Sequence, residues 1–190
     1  EKKDPVGKAI LHNYAPVTEA YGFHFGAYDK NISTPVIRSQ VRKAVAENKG
    51  HYTVYLPAYD DKRIVKILSQ VKNINWQVFS KHSKKEYTEK NVHIRPISND
   101  AFIDSMINCT GILCGAGFET PAEALFLKKK LMVIPMKGQY EQQCNAAALK
   151  TMGVPVIKSL KEKHLEKIQA WTTSKLILSV NYPNIKEKII

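Results

Sequence analysis

From residue 50 onward, short apolar runs alternate with amphipathic stretches, and this rhythm leaves few folds open. Tyr52–Pro57, Asn75–Ser80, Val92–Arg95, Thr110–Cys114, Leu131–Pro135 and Pro155–Ile157 read as strands. Between the first two, Ile64, Ile67, Leu68 and Val71 mark one face of a helix over Asp60–Val71, with Asp60 and Asp61 placed to cap it. Further helices are expected at Asn99–Ile107, Pro121–Lys129, Tyr140–Met152 and from Glu162 to Leu176. Strands apolar on both faces and separated by helices call for a parallel sheet covered on both sides. The expected fold class is therefore α/β, a doubly wound Rossmann-like parallel sheet of about six strands. In that order strands one and four are neighbours, and a ligand lies outside the carboxyl ends where the order reverses. The loops this singles out are Ala58–Asp60, Gly115–Glu119 and Met136–Tyr140.

Residues 1–35 lack a clean period and carry Pro5, Pro16 and Pro35 among Gly7, Gly22 and Gly26, which suits a linker and irregular entry segment. Pro35 to Glu47 reads as a helix, with Val36, Ile37, Val41 and Val45 as its apolar stripe. The core domain is expected over residues 36–176, with a tail helix over 177–190.

The 190 residues carry a net charge of +12, which favours anionic partners: a phosphorylated ligand, nucleic acid or an acidic membrane surface. No nucleic-acid-binding motif is visible, so nucleic acid is not an expected partner. Lys84-Lys85 and Lys128-Lys129-Lys130 read as solvated surface or as a membrane-facing patch. No apolar run is long enough to span a bilayer. Cys109, Cys114 and Cys144 form no C-x-x-C pair and read as reduced thiols, so a cytoplasmic location is expected, with peripheral contact at the inner membrane face left open. No clustered His, Cys and carboxylate set suggests a metal site.

The strongest local feature is Gly115-Ala116-Gly117-Phe118-Glu119-Thr120-Pro121-Ala122-Glu123, after an apolar strand and before an apolar helix. Small residues admit a phosphate close to the backbone, and a helix start offers unpaired N–H groups. Thr120 and Glu123 also satisfy the capping-box pattern, which would explain both without a ligand. A capping box does not call for Gly115 and Gly117. The second feature follows the fifth strand: Met136-Lys137-Gly138-Gln139-Tyr140-Glu141-Gln142-Gln143-Cys144-Asn145-Ala146. Glu141 beside Gln142 can hold vicinal sugar hydroxyls, or can be ordinary polar residues at a helix start.

Together, Gly117, Thr120, Glu123, Pro135, Glu141, Gln142, Asn145 and Ala146 resemble the donor-site region of GT-B glycosyltransferases that use UDP-sugars. The region is similar both to UDP-glycosyltransferases and to the peptidoglycan enzyme that adds N-acetylglucosamine to a lipid-linked precursor. The resemblance implies the carboxyl-terminal, donor-binding half of such an enzyme, following an amino-terminal domain. It places the diphosphate at Gly115, Ala116, Gly117 and Thr120, the ribose at Glu123, the donor sugar at Glu141 and Gln142, and uracil on Pro96, Ile97 and Ser98. It also implies a UDP-sugar as substrate, no cofactor, no metal, inversion, and an acceptor of unknown kind. Where Gly115 stands, the relatives place His or Arg, so Lys137 is a candidate replacement cation. The catalytic base is expected from the other domain. His24 is a weak candidate for that role, against a structural reading as a strand histidine. A nucleotide-sugar epimerase and a basic nucleic-acid-binding module are the alternative readings.

Overall fold

The computed structural model describes residues 5–14, 21–26 and 30–185. The chain starts with α1 (Pro5–Tyr14), a parallel pair β1 (Gly22–Phe23) and β2 (Ile32–Ser33), and a single turn α2 (Ser39–Arg42). There follow β3 (His51–Tyr55), α3 (Asp61–Leu68), β4 (Asn75–Ser80), β5 (Tyr87–Glu89), β6 (Val92–Pro96) and α4 (Asn99–Asn108). The remaining elements are β7 (Gly111–Gly115), α5 (Glu119–Phe126), β8 (Lys130–Ile134), α6 (Tyr140–Thr151) and α7 (Leu165–Thr173).

The main sheet runs β5-β6-β4-β3-β7-β8. Every pairing is parallel except β5 with β6. The expected neighbours, the first and fourth strands of the α/β series, are β3 and β7. The sixth expected strand shrinks to one parallel bridge, Val133 with Val156, held by hydrogen bonds from Val133 N–H to Pro155 and from Ile157 N–H to Val133.

Period-two alternation in the strands feeds two cores. Ile112 and Cys114 of β7 face α4, α5 and α6, with Phe102, Met106, Leu125 and Leu149. Leu113, between them, faces α3 and α7, with Ile64, Leu68, Ile168 and Trp171. Helices on both faces force every ligand-accessible loop to one edge or the other.

Several expectations change. The helix over Pro35–Glu47 is only Ser39–Arg42. Ile37 and Val41 are buried, but Val36 and Val45 are exposed, so the stripe has no second turn to bury. Arg38 is extended at its start, with its side chain drawn to a residue 85 positions away. The tail helix is not formed over 177–185; this stretch is irregular and buries Tyr182 and Ile185, and residues 186–190 lie outside the described residues. The stretch read as a linker contains α1 and the β1–β2 pair, and Phe25 enters the core; residues 1–4, 15–20 and 27–29 lie outside the described residues. The Asp60 cap is formed, its Oδ1 accepting from Arg63 N–H at 2.9 Å. The three cysteines are free thiols.

Candidate functional site

At the carboxyl ends of β3, β7 and β8 lies a cleft of about 230 Å³. Ala58 and Tyr59, Gly115, and Met136 and Lys137 line it, so all three loops singled out by topology contribute. Gln142 closes one side: its Oε1 accepts from Met136 N–H at 2.9 Å, and its Nε2 donates to Gln139 Oε1 at 2.8 Å. A Cβ added at Gly115 would sit 3.5 Å from that Oε1, so a long side chain at position 115 would contest the space that Gln142 fills. Lys137 is the cation that reaches the cleft wall.

Beside the cleft, α5 starts earlier than the capping-box reading requires. The helix begins at Glu119, and the preceding Phe118 makes no side-chain cap. Thr120 is the second helical residue rather than the cap. Phe118 instead packs on Phe25, ring centroids 5.0 Å apart. Among the described residues, neither the Thr120 hydroxyl nor the N–H groups of Glu119 and Thr120 have a hydrogen-bond partner. These are the orphan donors of a helix start, the kind of group that water or an anion can satisfy. Gly117 keeps the approach clear, since a Cβ there would meet nothing within 4 Å. Ala116 is fully buried, and its carbonyl accepts from Asn145 Nδ2 at 3.2 Å, tying this turn to α6.

Glu123 is the other half of the supposed capping box, and it is buried to 2% exposure. Its partner is Arg38. Nε donates to Oε1 at 2.7 Å and Nη2 to Oε2 at 2.6 Å, a bidentate fork. The Arg38 backbone N–H lies 3.4 Å from Oε1, and Nη1 donates to Asn99 Oδ1 at 3.1 Å. The hydrogen bond to Glu123 raises the pKa of Arg38 further, against a smaller opposing effect of burial. The Arg38 side chain is 38% exposed, so one end of this pair touches solvent. In this structure the carboxylate assigned to ribose is covered by a guanidinium. Arg38 was not singled out in the sequence because it sits in a stretch that reads as ordinary helix.

The other site residues are placed as follows. Ile97 is half-exposed, and its N–H donates to the Ser80 carbonyl at 3.0 Å. Ser98 stands at the start of α4 and its carbonyl accepts from Phe102 N–H. Pro96 ends β6 in register with Ser80. This loop reaches Glu123 through Asn99 and Arg38. Glu141 is exposed in the first turn of α6, its Oε1 3.4 Å from Asn145 Nδ2. His24 follows β1, with its N–H on the Ser33 carbonyl and its ring edge-on to Phe25. Of the assigned residues, Gly115 and Gln142 line the cleft itself. Among the described residues, no three His, Cys, Asp or Glu side chains are grouped to hold a metal ion.

The family model described as glycosyl transferase family 1 matches residues 4–174. Among solved structures, the chain is similar to CalG4, the calicheamicin glycosyltransferase, with TM-score 0.58 at 9% identity over 92% of this chain and 52% of that one. It is similar to the glycotransferase of kitacinnamycin with TM-score 0.55 at 11% identity, covering 77% of this chain and 42% of that one. For Arabidopsis thaliana UGT89C1 complexed with UDP, the TM-score is 0.50 at 12% identity, covering 75% and 43%. The chain spans roughly half the length of these structures or less, and likeness at such identity shows the fold. No curated protein sequence matches it. With the strand order, the switch-point cleft and a family match over most of its length, the chain belongs to glycosyl transferase family 1 and forms one Rossmann-like half of a GT-B fold.

Proposed function

We propose that this chain is the donor-binding half of a glycosyltransferase and holds a UDP-sugar across the carboxyl ends of β3, β7 and β8. One observation carries the reading: the unpartnered Glu119 and Thr120 donors of α5 stand beside an open cleft with Lys137 in its wall. A diphosphate fits those donors, and Gly117 leaves it room. The ribose hydroxyls take the Glu123 carboxylate, and to do so they displace the Arg38 fork. Uracil lies toward Pro96, Ile97 and Ser98, the loop that Arg38 already links to Glu123 through Asn99. The donor sugar meets Gln142 and Glu141.

In transfer, an acceptor oxygen attacks the anomeric carbon opposite the diphosphate, the carbon–oxygen bond to phosphate breaks, and negative charge collects on UDP. The α5 dipole, its orphan N–H groups and Lys137 oppose that charge without a metal ion. The acceptor and the base that takes its proton belong to a companion domain facing this edge.

Calorimetry of the chain with UDP, repeated in excess EDTA, tests both statements. Binding is expected in both, tighter for UDP than for GDP or ADP. No binding of UDP at millimolar concentration sinks the assignment, and binding lost to EDTA sinks metal independence.

A further inference from the structure

A second groove, of about 610 Å³, lies between α3 and the segment 160–163. Its floor is Ile67 and Leu160, both buried, and its rim is Lys62, Arg63, Lys66, Lys161 and Lys163. Five cations therefore face one carboxylate, Glu162, which pairs with Lys66 at 3.3 Å. Lys62, Lys161 and Lys163 are exposed and, among the described residues, have no ion-pair partner. Exposed Lys158 and Lys167 lie close by, since both act on His164. Desolvation first, then Lys163, Lys167, Lys161 and Lys158 depress the pKa of that imidazole, so the local field is positive.

The type of cation narrows the partner. Arginine forks add bidentate geometry to a phosphate contact, whereas each lysine here is a mobile point charge, and clusters of such charges are attracted to an anionic bilayer surface. The single guanidinium in the groove is turned inward: Arg63 Nε donates to the Leu160 carbonyl at 3.1 Å, and its head lies over the Tyr59 ring. Among the described residues, no aromatic ring lines the groove to stack a nucleobase, which argues against single-stranded nucleic acid. Tyr59 lines the donor cleft, so Arg63 connects the rim of the groove to the wall of that cleft.

We infer that this lysine groove is a docking surface for an anionic phospholipid bilayer, which would set the donor cleft beside the membrane plane. The attraction is electrostatic, without an inserted anchor, so it is reversible and falls with salt.

The test is co-sedimentation of the full chain with phosphatidylcholine vesicles, with and without phosphatidylglycerol, at low and physiological salt. Binding is expected to require phosphatidylglycerol and to weaken with salt. Each lysine near a membrane surface contributes roughly a fivefold factor, so Lys62→Gln/Lys161→Gln/Lys163→Gln lowers partitioning by about a hundredfold. The control Lys49→Gln/Lys150→Gln/Lys175→Gln removes the same charge from exposed positions outside the groove and leaves most binding intact. Equal loss in the two triple variants, or indifference of the wild type to phosphatidylglycerol, overturns the proposal. So does tighter binding of the groove to a single-stranded RNA oligomer or to a soluble phosphorylated glycan than to vesicles. UDP calorimetry on the same variants keeps the two readings apart: vesicle binding with no UDP binding refutes only the donor site.

Discussion

At Glu123 a structural role and a binding role compete for the same two oxygens. Arg38 holds both, and taking it away leaves the buried carboxylate without its bidentate partner. Arg38→Ala is expected to lower stability by about 2 kcal/mol, below the full value for a buried pair because the guanidinium is partly solvated. Urea denaturation measures this, and adding Glu123→Gln to Arg38→Ala should restore part of the loss. Glu123→Gln alone weakens UDP roughly tenfold or more, and the wild-type preference for UDP over its 2′-deoxy analogue disappears. An unchanged preference would remove Glu123 from the ribose site. The sequence marks Glu123 through its spacing from Thr120, but it does not mark Arg38. That contact joins positions 85 apart in the chain, and no local pattern encodes it.

Helix α5 shows how a correct motif can be assigned the wrong job. Thr120 and Glu123 satisfy the capping-box spacing, yet neither caps: the helix already starts at Glu119, and the Glu123 carboxylate is taken by Arg38. Gly117 separates fold from function here. Its backbone is not left-handed and its surroundings are empty, so Gly117→Val should leave stability within about 1 kcal/mol while abolishing UDP binding by filling the approach. Thermal melts and calorimetry on that one variant decide it; retained UDP affinity would mean the diphosphate lies elsewhere. The sheet order was legible because β3, β4, β6, β7 and β8 each carry buried apolar residues, in runs or in alternation. Strand β5 was not, since Tyr87, Thr88 and Glu89 are all exposed and give no periodic signal. The helix expected over 35–47 failed for the opposite reason: its apolar spacing was present, but only Ile37 and Val41 found a core.

For the whole molecule, one consequence is acid sensitivity. His51 is buried, its Nε2 3.0 Å from Ser105 Oγ, and desolvation lowers its pKa from the usual 6.5. His164 shifts the same way. Around that pH the unfolded chain binds more protons than the folded one. Stability is therefore full above about pH 6.5 and falls as pH drops through the lowered folded values. Melting temperatures measured from neutral pH downward should show the fall, with a shallower slope in His51→Gln. A second expectation follows from the half-fold: the isolated chain binds UDP yet transfers no sugar, and turnover requires the companion domain. Measurable transfer by this chain alone would place the base here. Finally, the guanidinium that covers Glu123 belongs to the segment that leads through α2 into the main sheet. A single ion pair therefore rivets that incoming stretch of chain to the interior of α5.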